Sequence, residues 1–452
     1  MARSKDSNEW GRGRSFSKCV GGIGAGDQLG LLRQRRSPLT IVSTMASIGS
    51  GRLCAHAEKL CQYGHFTQLR RKVSTTTCAK SRPAVSRTSG TLFQHCQNKT
   101  NTRDSRIGLA RATSTMQTQM PGSLPDYQID PYRLAEDDLK DMFDDIRLEL
   151  INNTTQEELQ PISTYYLDGQ GKAIRPILTI LMARAINYHK GRNVLSHSQR
   201  QIAMISEMIH SSSLLHDDVI DQSDIRRGKP SVNVVWSQKK VAMAGDYILA
   251  VACRMLSRLQ NDDVTITISQ IVTDLVQGEF MQLGSKETEN ERFAHYLTKS
   301  YRKTASLIAN CSKAVAILAE VDDHMIEMAF QYGRNVGLAF QLVDDLLDFV
   351  ASSEALGKPT AADLKLGLAT APVLFACERY PELNAMIMRR FQEHGDVKRA
   401  FELVHKSNGL EQTRFLAKKH CAEANKIVQS FAKSPYQKAL IIMADLVINR
   451  MK

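Results

Sequence analysis

The chain has 452 residues and a formal net charge of +12, a length that suits one large domain or two ordinary ones. Residues 1–115 hold 20 Lys and Arg against 5 Asp and Glu, so an excess of +15 lies there and the remainder carries −3. Proteins that bind nucleic acid carry their basic surface on the folded domain, so this distribution argues against a nucleic-acid partner. The nine cysteines form no C-x-x-C pair, which argues against the usual zinc and redox motifs.

The N-terminal segment, residues 1–115, is rich in Arg, Ser, Thr and Gly, poor in acids, and without a sustained hydrophobic pattern. This composition is typical of a mitochondrial targeting segment in a non-plant cell, and a solvated, disordered tail is the alternative. We therefore expect a transit peptide and a mitochondrial protein, in the matrix or at the inner membrane. No apolar stretch has the length that spans a bilayer, so the body is expected to be soluble or at most peripherally associated with a membrane.

From residue 125 onward, apolar residues recur at helical spacing, and alternating strand patterns bounded by turns are scarce. A first amphipathic helix is predicted from six apolar positions, which are Leu134, Leu139, Met142, Phe143, Ile146 and Leu150. The same periodicity predicts helices over 174–186, 198–218, 238–258, 262–283, 289–318, 322–350, 370–380, 383–391, 396–406, 410–431 and 435–451. Residues 125–452 are thus predicted to form one all-α domain, larger than a simple four-helix bundle.

Two acidic clusters with the same D-D-x-x-D spacing each end an apolar, helix-like run. They consist of Asp217, Asp218 and Asp221, and of Asp344, Asp345 and Asp348. Residues four apart share a face of a helix, so the first and last carboxylates of each cluster should point the same way. This geometry can hold divalent metal ions, although a lone D-D-x-x-D is more often a solvated helix face.

Three groups of basic residues accompany the acidic clusters. Lys172 and Arg175 lie at a predicted helix start. Arg226-Arg227-Gly228-Lys229 follows the first cluster, and Lys303 lies just before the apolar run 305–316. Mg²⁺ is bound by a few carboxylates together with phosphate oxygens, and both Arg and Lys bind phosphate. The joint presence of both clusters and these cations therefore predicts a diphosphate substrate held with several Mg²⁺ ions.

With these motifs the body resembles the trans-isoprenyl diphosphate synthases, an all-helical family of prenyltransferases. The matching segments are G-K-A-I-R-P at 171–176, D-D-V-I-D at 217–221, R-R-G-K at 226–229, G-D at 245–246, G-E-F at 278–280, K-T at 303–304, F-Q-L-V-D-D-L-L-D at 340–348, and G-K with D-L-K within 357–365. Segments 284–297 and 362–376 are most similar to the catalytic subunits of animal solanesyl or decaprenyl diphosphate synthases. The resemblance implies the isoprenoid synthase fold, a large single-domain helical bundle around a central substrate cavity.

The resemblance also implies a role for each matching residue. Both aspartate clusters would hold Mg²⁺ on the allylic diphosphate, which Arg226, Lys303 and Lys358 would contact. The diphosphate of isopentenyl diphosphate would be bound by Lys172, Arg175, His210 and Arg227. Thr304 and Gln341 would line the reacting carbons, and Lys365 falls in a later basic contact of the family.

The implied reaction is head-to-tail 1′-4 condensation of isopentenyl diphosphate onto an allylic diphosphate such as farnesyl or geranylgeranyl diphosphate. The allylic diphosphate departs, the double bond of isopentenyl diphosphate attacks, and a proton is lost to the departing diphosphate, with His210 as the alternative base. The product would be the solanesyl or decaprenyl precursor of the ubiquinone side chain. The implied partners are a dimeric core and, in a heteromer, a divergent second subunit.

Product length is predicted from two serines. Ser213 lies four residues before Asp217, hence one turn deeper on the same face, and Ser212 is its neighbour. In short-chain relatives, large aromatic residues near these positions close the pocket floor. Serines leave the floor open and can bond back to their own helix, so a long product is predicted, and phenylalanine at either position should shorten it.

Three other functions fit parts of this pattern less well. A non-catalytic or regulatory subunit of the same fold typically loses aspartates, whereas this chain keeps all six. A terpene cyclase usually has Asn, Ser or Glu in its second metal site, whereas this chain has Asp344, Asp345 and Asp348. A structural helical bundle would need neither the metal clusters nor the cations.

Overall fold

The structure, a computed structural model, describes residues 129–169, 171–284, 288–350 and 361–450. The predicted all-α class is confirmed within these residues. The helices are α1 (Pro131–Leu134), α2 (Glu136–Leu139), α3 (Met142–Asn152), α4 (Leu159–Thr164), α5 (Ile174–His189), α6 (His197–Ile220), α7 (Val232–Val235), α8 (Gln238–Arg258), α9 (Asp262–Gly284), α10 (Arg292–Ser300), α11 (Ser306–Leu318), α12 (Asp323–Val350), α13 (Ala362–Lys365), α14 (Ala371–Ala376), α15 (Glu382–Met388), α16 (Asp396–Lys406), α17 (Gly409–Gln429) and α18 (Pro435–Asn449). No helix within this described part is both long and apolar enough to cross a membrane.

The predicted continuous first helix is wrong. It is divided into α1, α2 and α3, because Lys140 is extended and Asp141 takes a left-handed conformation with φ of 58°. The apolar positions face the core on both sides of the interruption, since Leu134 and Leu139 pack partly buried against it and Met142, Ile146 and Leu150 are buried in it. Periodicity therefore predicted the buried face but not the break in the backbone.

The predicted helix over 289–318 is also interrupted. A π-helical segment, Tyr301–Ala305, separates α10 from α11. Single π-helical turns inside α-helices are frequent at functional sites. This one holds Lys303 and Thr304, two of the residues predicted to meet substrate.

The centre of the bundle is α11, which contacts α5, α6, α9 and α12. Buried residues occupy nearly every position from Ser306 to Ala316, and a helix that is apolar all round is one enclosed by its neighbours. Helix α12 packs against α11 on one side and α17 on another, while α6 packs against α8. The two aspartate-bearing helices, α6 and α12, thus both contact α11.

A short hairpin follows the first aspartate cluster. Ile225 pairs with Pro230 and Arg226 with Lys229 in antiparallel register. The two turn residues, Arg227 and Gly228, have φ of 53° and 75°, and positive φ at both positions is the requirement of a type I′ turn. The hairpin holds Arg226 and Arg227 at fixed positions beside the end of α6.

Close helix contact at Gly337 yields a test of the fold. A Cβ added there would lie 2.5 Å from the Cα of Ala305, the last residue of the π segment. We expect Gly337→Ala to lower the free energy of unfolding by about 1–3 kcal/mol, because overpacking forces the backbones apart. Urea unfolding measures this loss, with Cys253→Ala on an exposed surface as the control. Equal stability of the two variants would contradict the close contact.

Candidate active site

The first aspartate cluster ends α6, a helix that begins with a capping box between Ser196 and Gln199. The backbone N–H of Asp221 donates to the carbonyl of Asp217 at 2.8 Å, so the helical turn continues through the cluster. Both Asp217 and Asp221 lie within the electrostatic reach of Glu279 and Lys303 on neighbouring elements. The two side chains therefore share one face, as their spacing predicted.

Asp218 has a different environment. It is fully buried, accepts a hydrogen bond from the Tyr166 hydroxyl, and accepts another from Arg226 Nε at 2.6 Å. The Arg226 bond uses Nε, which leaves the terminal Nη groups of its fork for an anion. Both carboxylate oxygens of Asp218 are thus used within the protein.

In the second aspartate cluster, at the end of α12, all three carboxylates have hydrogen-bonding or ion-pair partners within the protein. Asp344 pairs with Arg450 Nη2 at 3.0 Å. Asp345 is buried and accepts from Gln341 Nε2 at 2.8 Å and from the Tyr296 hydroxyl. Asp348 accepts the backbone N–H groups of Ala362 and Asp363, each at 3.1 Å, and so joins α12 to α13.

Burial and two hydrogen bonds act in opposite directions on the pKa of Asp345. Burial raises the pKa of this carboxyl group to about 6, whereas the hydrogen bonds from Tyr296 and Gln341 lower it. Without those two donors the ionised form would be a buried, unsatisfied charge, which proteins avoid. The donors therefore favour the carboxylate near neutral pH.

A basic pocket forms where α5 begins beside α6. Burial lowers the pKa of Arg175, and its Nε is buried without a partner among the described residues. His210 is held neutral, since burial and then the charges of Arg175, Arg227 and Arg226 keep its pKa well below the usual range. An unpaired buried donor beside several arginines fits an anion, as predicted for Arg175, His210 and Arg227.

Gly171 makes room for this pocket. A Cβ on Gly171 would lie 3.2 Å from Arg227 Nη1, so the guanidinium rests against the glycine backbone. The neighbouring Lys172 is exposed. Glu207 is buried one turn before His210 on α6. Burial raises the pKa of this carboxyl group, and the nearby charges of Arg175 and Arg227 lower it.

Lys303 and Thr304 project from the π segment. Lys303 Nζ lies 2.5 Å from Glu279 Oε2 and 3.1 Å from Gln282 Oε1. Thr304 Oγ1 donates to Gln341 Oε1 at 2.6 Å. Gly278 allows this approach, because a Cβ there would lie 2.8 Å from Lys303 Cγ.

The carboxylates of Asp217 and Asp221 on α6 are suitable ligands for Mg²⁺. Burial is the main cause that raises the pKa of Asp217 to about 6. The positive charges of Lys303 and Arg226 lower this pKa, and the negative charges of Glu279 and Asp221 raise it. Neither Asp217 nor Asp221 accepts a side-chain hydrogen bond from a described residue, so a cation would relieve their repulsion. In the described ranges no three His, Cys, Asp or Glu side chains form a complete metal cage. Mg²⁺ rarely uses such a cage and takes one or two carboxylates with phosphate oxygens and water.

The two serines differ. Ser213 is half-buried and donates back to the His210 carbonyl at 2.9 Å, as predicted. Ser212 is fully buried and instead donates to the Gly245 carbonyl of α8 at 2.8 Å. The predicted back-bond is therefore correct for Ser213 and wrong for Ser212, because the latter faces the adjacent helix.

Two predicted contacts stand apart from these groups. Lys358 lies outside the described residues, as does the predicted targeting segment 1–115. Lys365 is exposed at the end of α13, the helix that Asp348 caps. Their roles stay predictions.

The fold brings to the site several residues that the sequence motifs do not single out, which are Tyr166, Glu207, Glu279, Tyr296 and Arg450. Glu279 offered a signal, since it lies within the matching G-E-F segment. The two tyrosines offered none, because their partners lie 52 and 49 residues away.

Comparison with known proteins agrees with this geometry. A profile of the family described as polyprenyl synthetase matches residues 156–404, which include both aspartate clusters. The chain belongs to the polyprenyl synthetase family. This membership and the relatives below confirm the predicted prenyltransferase class and the predicted function, long-chain all-trans polyprenyl diphosphate synthesis.

Named relatives cover most of the described body. The chain is 54% identical over 324 residues to human all trans-polyprenyl-diphosphate synthase PDSS1, covering 72% of this chain and 78% of that protein. It is 42% identical over 345 residues to decaprenyl-diphosphate synthase subunit 1 of Schizosaccharomyces pombe, covering 71% and 91%. It is 39% identical over 371 residues to a probable mitochondrial hexaprenyl pyrophosphate synthase of Neurospora crassa, covering 72% and 82%.

A solved relative confirms the isoprenoid synthase fold. The polyprenyl synthase of Caulobacter crescentus, crystallised with calcium and isoprenyl diphosphate, superposes with a TM-score of 0.65 at 30% identity. The match covers 73% of this chain and 100% of that one. The arrangement of helices around α11 is therefore that of this family.

The contrast between Asp217 and Asp218 yields a stability test in Mg²⁺-free buffer at neutral pH. The folded-state pKa of Asp217 is raised, so its ionised form is disfavoured by folding, and Asp217→Asn should keep or increase the free energy of unfolding. Asp218→Asn should lower it by about 3 kcal/mol, because breaking a buried ion pair leaves Arg226 without its partner. Denaturant unfolding compares the two variants, and equal losses would contradict the difference.

Proposed function

We propose that the chain catalyses Mg²⁺-dependent head-to-tail condensation of isopentenyl diphosphate onto an allylic diphosphate, and that it extends the product to the length of a ubiquinone side chain. The observation that carries this proposal is the pairing of an acidic face with a separate basic pocket along α6. Asp217 and Asp221 crowd together with Glu279 on one side, and Arg175, Arg227 and neutral His210 gather on the other. Such a site suits two diphosphates held in different ways.

The basic pocket would bind isopentenyl diphosphate. The unpaired Nε of Arg175 and the Arg227 fork supply donors for the diphosphate oxygens, with exposed Lys172 at the entrance. Burial first, and then the charges of the arginines, lower the pKa of His210 well below its usual range, which makes it a weak base in the free protein. This supports the departing diphosphate as the proton acceptor, the first of the two alternatives drawn from the sequence.

The acidic face would bind the allylic diphosphate. Asp217 and Asp221 of α6, with Asp344 and its neighbours on α12, would hold the Mg²⁺ ions, while Arg226 and Lys303 contact the same group. Bound Mg²⁺ supplies neutralisation of the diphosphate charge as it leaves. Thr304 and Gln341, already hydrogen-bonded to one another, would bring their oxygens near developing positive charge.

Product length can be tested at the two serines. Ser213 lies on the Asp217 face, and Ser213→Phe should shift the products to shorter chains, because an aromatic ring would fill the path one turn below the aspartates. Chain lengths are measured by chromatography of the dephosphorylated products. The matched change, Ser212→Phe, inserts the ring against α8 and should destabilise the protein instead. Unchanged products from a folded Ser213→Phe variant would contradict the open-floor argument.

An exposed apolar stripe on α9 supports a second subunit. Ile266, Val276, Phe280 and Leu283 are 53–72% exposed, and the last three recur at helical spacing. Val276, Phe280 and Leu283 thus form an exposed apolar face of α9, and a surface of this kind marks an interface. We propose that this stripe packs against a second chain, either another copy or a divergent subunit. Phe280→Glu should shift the protein to monomer in sedimentation velocity, and an unchanged oligomer would place the interface elsewhere.

We also propose that the protein is mitochondrial. The basic composition of residues 1–115 and the mitochondrial name of the Neurospora relative support this location. Residues 1–115 fused to a fluorescent protein should direct it to mitochondria in animal cells. A diffuse signal would favour the solvated-tail alternative.

The main experiment tests the reaction itself. The chain is produced alone and together with a divergent paralogous subunit, and each preparation receives farnesyl diphosphate, isopentenyl diphosphate and Mg²⁺. Long all-trans products that disappear on chelation of the metal are expected from at least one preparation. Product only from the co-expressed pair would show dependence on the partner. An Asp217→Asn chain that is as active as wild type in that pair would identify this chain as the non-catalytic subunit.

A further inference from the structure

Each D-D-x-x-D cluster has a buried tyrosine bonded to its middle aspartate. Tyr166 donates to Asp218 Oδ2, and Tyr296 donates to Asp345 Oδ2. The four groups are nearly inaccessible to solvent, with exposures of 0–3%. The tyrosines come from unrelated parts of the chain, one after α4 and the other on α10, yet they make the same contact.

In both clusters the other oxygen of the same aspartate is bonded to a residue predicted to meet substrate. Asp218 Oδ1 accepts Arg226 Nε at 2.6 Å. Asp345 Oδ1 accepts Gln341 Nε2 at 2.8 Å, and Gln341 Oε1 then accepts the Thr304 hydroxyl at 2.6 Å. Each middle aspartate therefore bridges a buried tyrosine and a substrate-facing side chain.

A carboxylate held at both oxygens cannot rotate without losing a buried hydrogen bond, and an unsatisfied buried charge is costly. A tyrosine hydroxyl carries its proton at neutral pH and can donate it to a carboxylate. The hydroxyl is thus a permanent donor. Fixing the carboxylate in turn fixes the direction of the side chain on its opposite oxygen.

We propose that Tyr166 and Tyr296 are positioning residues that act through the two middle aspartates. Tyr166, through Asp218, orients Arg226 towards the allylic diphosphate. Tyr296, through Asp345, orients Gln341 and Thr304 towards the reacting carbons. This inference rests on the proposed function, since it takes from there the substrate group that each side chain meets.

The two tyrosines should affect different steps. Arg226 contacts a diphosphate that is present before and during the reaction, so Tyr166→Phe should raise the KM of the allylic substrate roughly 10-fold with kcat within about twofold. Gln341 and Thr304 act on charge that develops only in the transition state, so Tyr296→Phe should lower kcat roughly 10-fold with both KM values within about twofold.

The matched control is Tyr332→Phe. Tyr332 is fully buried on α12 and donates to the Leu440 carbonyl at 2.8 Å, so it loses the same kind of hydroxyl away from the site. Thermal melting is recorded for all three variants, and calorimetry measures the affinity for farnesyl diphosphate with Mg²⁺. Tyr332→Phe should lower the melting temperature but leave kcat, KM and this affinity unchanged. Tyr166→Phe alone should weaken the calorimetric affinity, by roughly the same factor as its KM.

A double-mutant cycle separates positioning from general stability. If Tyr296 acts through Gln341, Tyr296→Phe should cost kcat in the wild-type background and nothing further in Gln341→Met, because residues in one network are not additive. Additive losses would overturn the relay. Should Tyr296→Phe fail to fold, Asp345→Asn serves instead, since an amide with one oxygen cannot accept from Gln341 and Tyr296 at two oxygens as the carboxylate does, and a wild-type kcat for that variant would overturn the proposal.

Failure of this inference differs from failure of the proposed function. A wild-type chain that makes no prenyl product, alone or with a second subunit, overturns the function. An active wild type whose Tyr166→Phe and Tyr296→Phe variants behave like Tyr332→Phe overturns only the positioning role.

Discussion

Burial of carboxylates at the ends of two helices is the constraint on which the rest of the site depends. Asp218, Asp345 and Asp348 are almost inaccessible to solvent, and a buried charge must be paired or hydrogen-bonded. The chain satisfies each one differently, with an arginine and a tyrosine, with an amide and a tyrosine, and with two backbone N–H groups. These partners come from the segment after α4, the hairpin, α10, α12 and α13, so the hydrogen-bonding needs of the carboxylates bring these five parts of the chain together around the site.

The two clusters share a sequence pattern but differ in how much remains for a ligand. On α12 every carboxylate is already bonded within the protein. On α6 only Asp218 is bonded in this way, and Asp217 and Asp221 remain crowded by Glu279. Two D-D-x-x-D motifs of the same spacing therefore differ in their surroundings. Asp217 and Asp221 have no side-chain hydrogen bond from a described residue, whereas an ion at the α12 cluster would share its carboxylates with Arg450, Gln341, Tyr296 and the start of α13.

The sequence predicted what depends on local periodicity and missed what depends on contacts distant in the chain. The bounds of α8 and α16 follow from apolar spacing, and the shared face of Asp217 and Asp221 follows from helix geometry. The π segment at Lys303 could not be predicted, because the apolar period continues through it. Nor could the different partners of Ser212 and Ser213, since a one-residue step decides whether a hydroxyl faces the neighbouring helix α8 or bonds back to its own helix. Tyr166 and Tyr296 have the sequence surroundings of ordinary core tyrosines.

Charge along α6 explains how two chemically similar diphosphates would be sorted. Near Asp217 and Glu279 the uncompensated charge is negative, so a diphosphate approaches favourably only together with cations. Near Arg175 and Arg227 the charge is positive and His210 is neutral, so a diphosphate without metal is favoured there. The acidic region would disfavour a diphosphate without metal ions, and the basic region would disfavour additional cations. Unfavourable contacts would thus contribute to specificity as well as favourable ones. On the proposed function, the diphosphate that keeps its metal ions would be the one beside the hydrogen-bonded pair Thr304 and Gln341, where a leaving group has to depart.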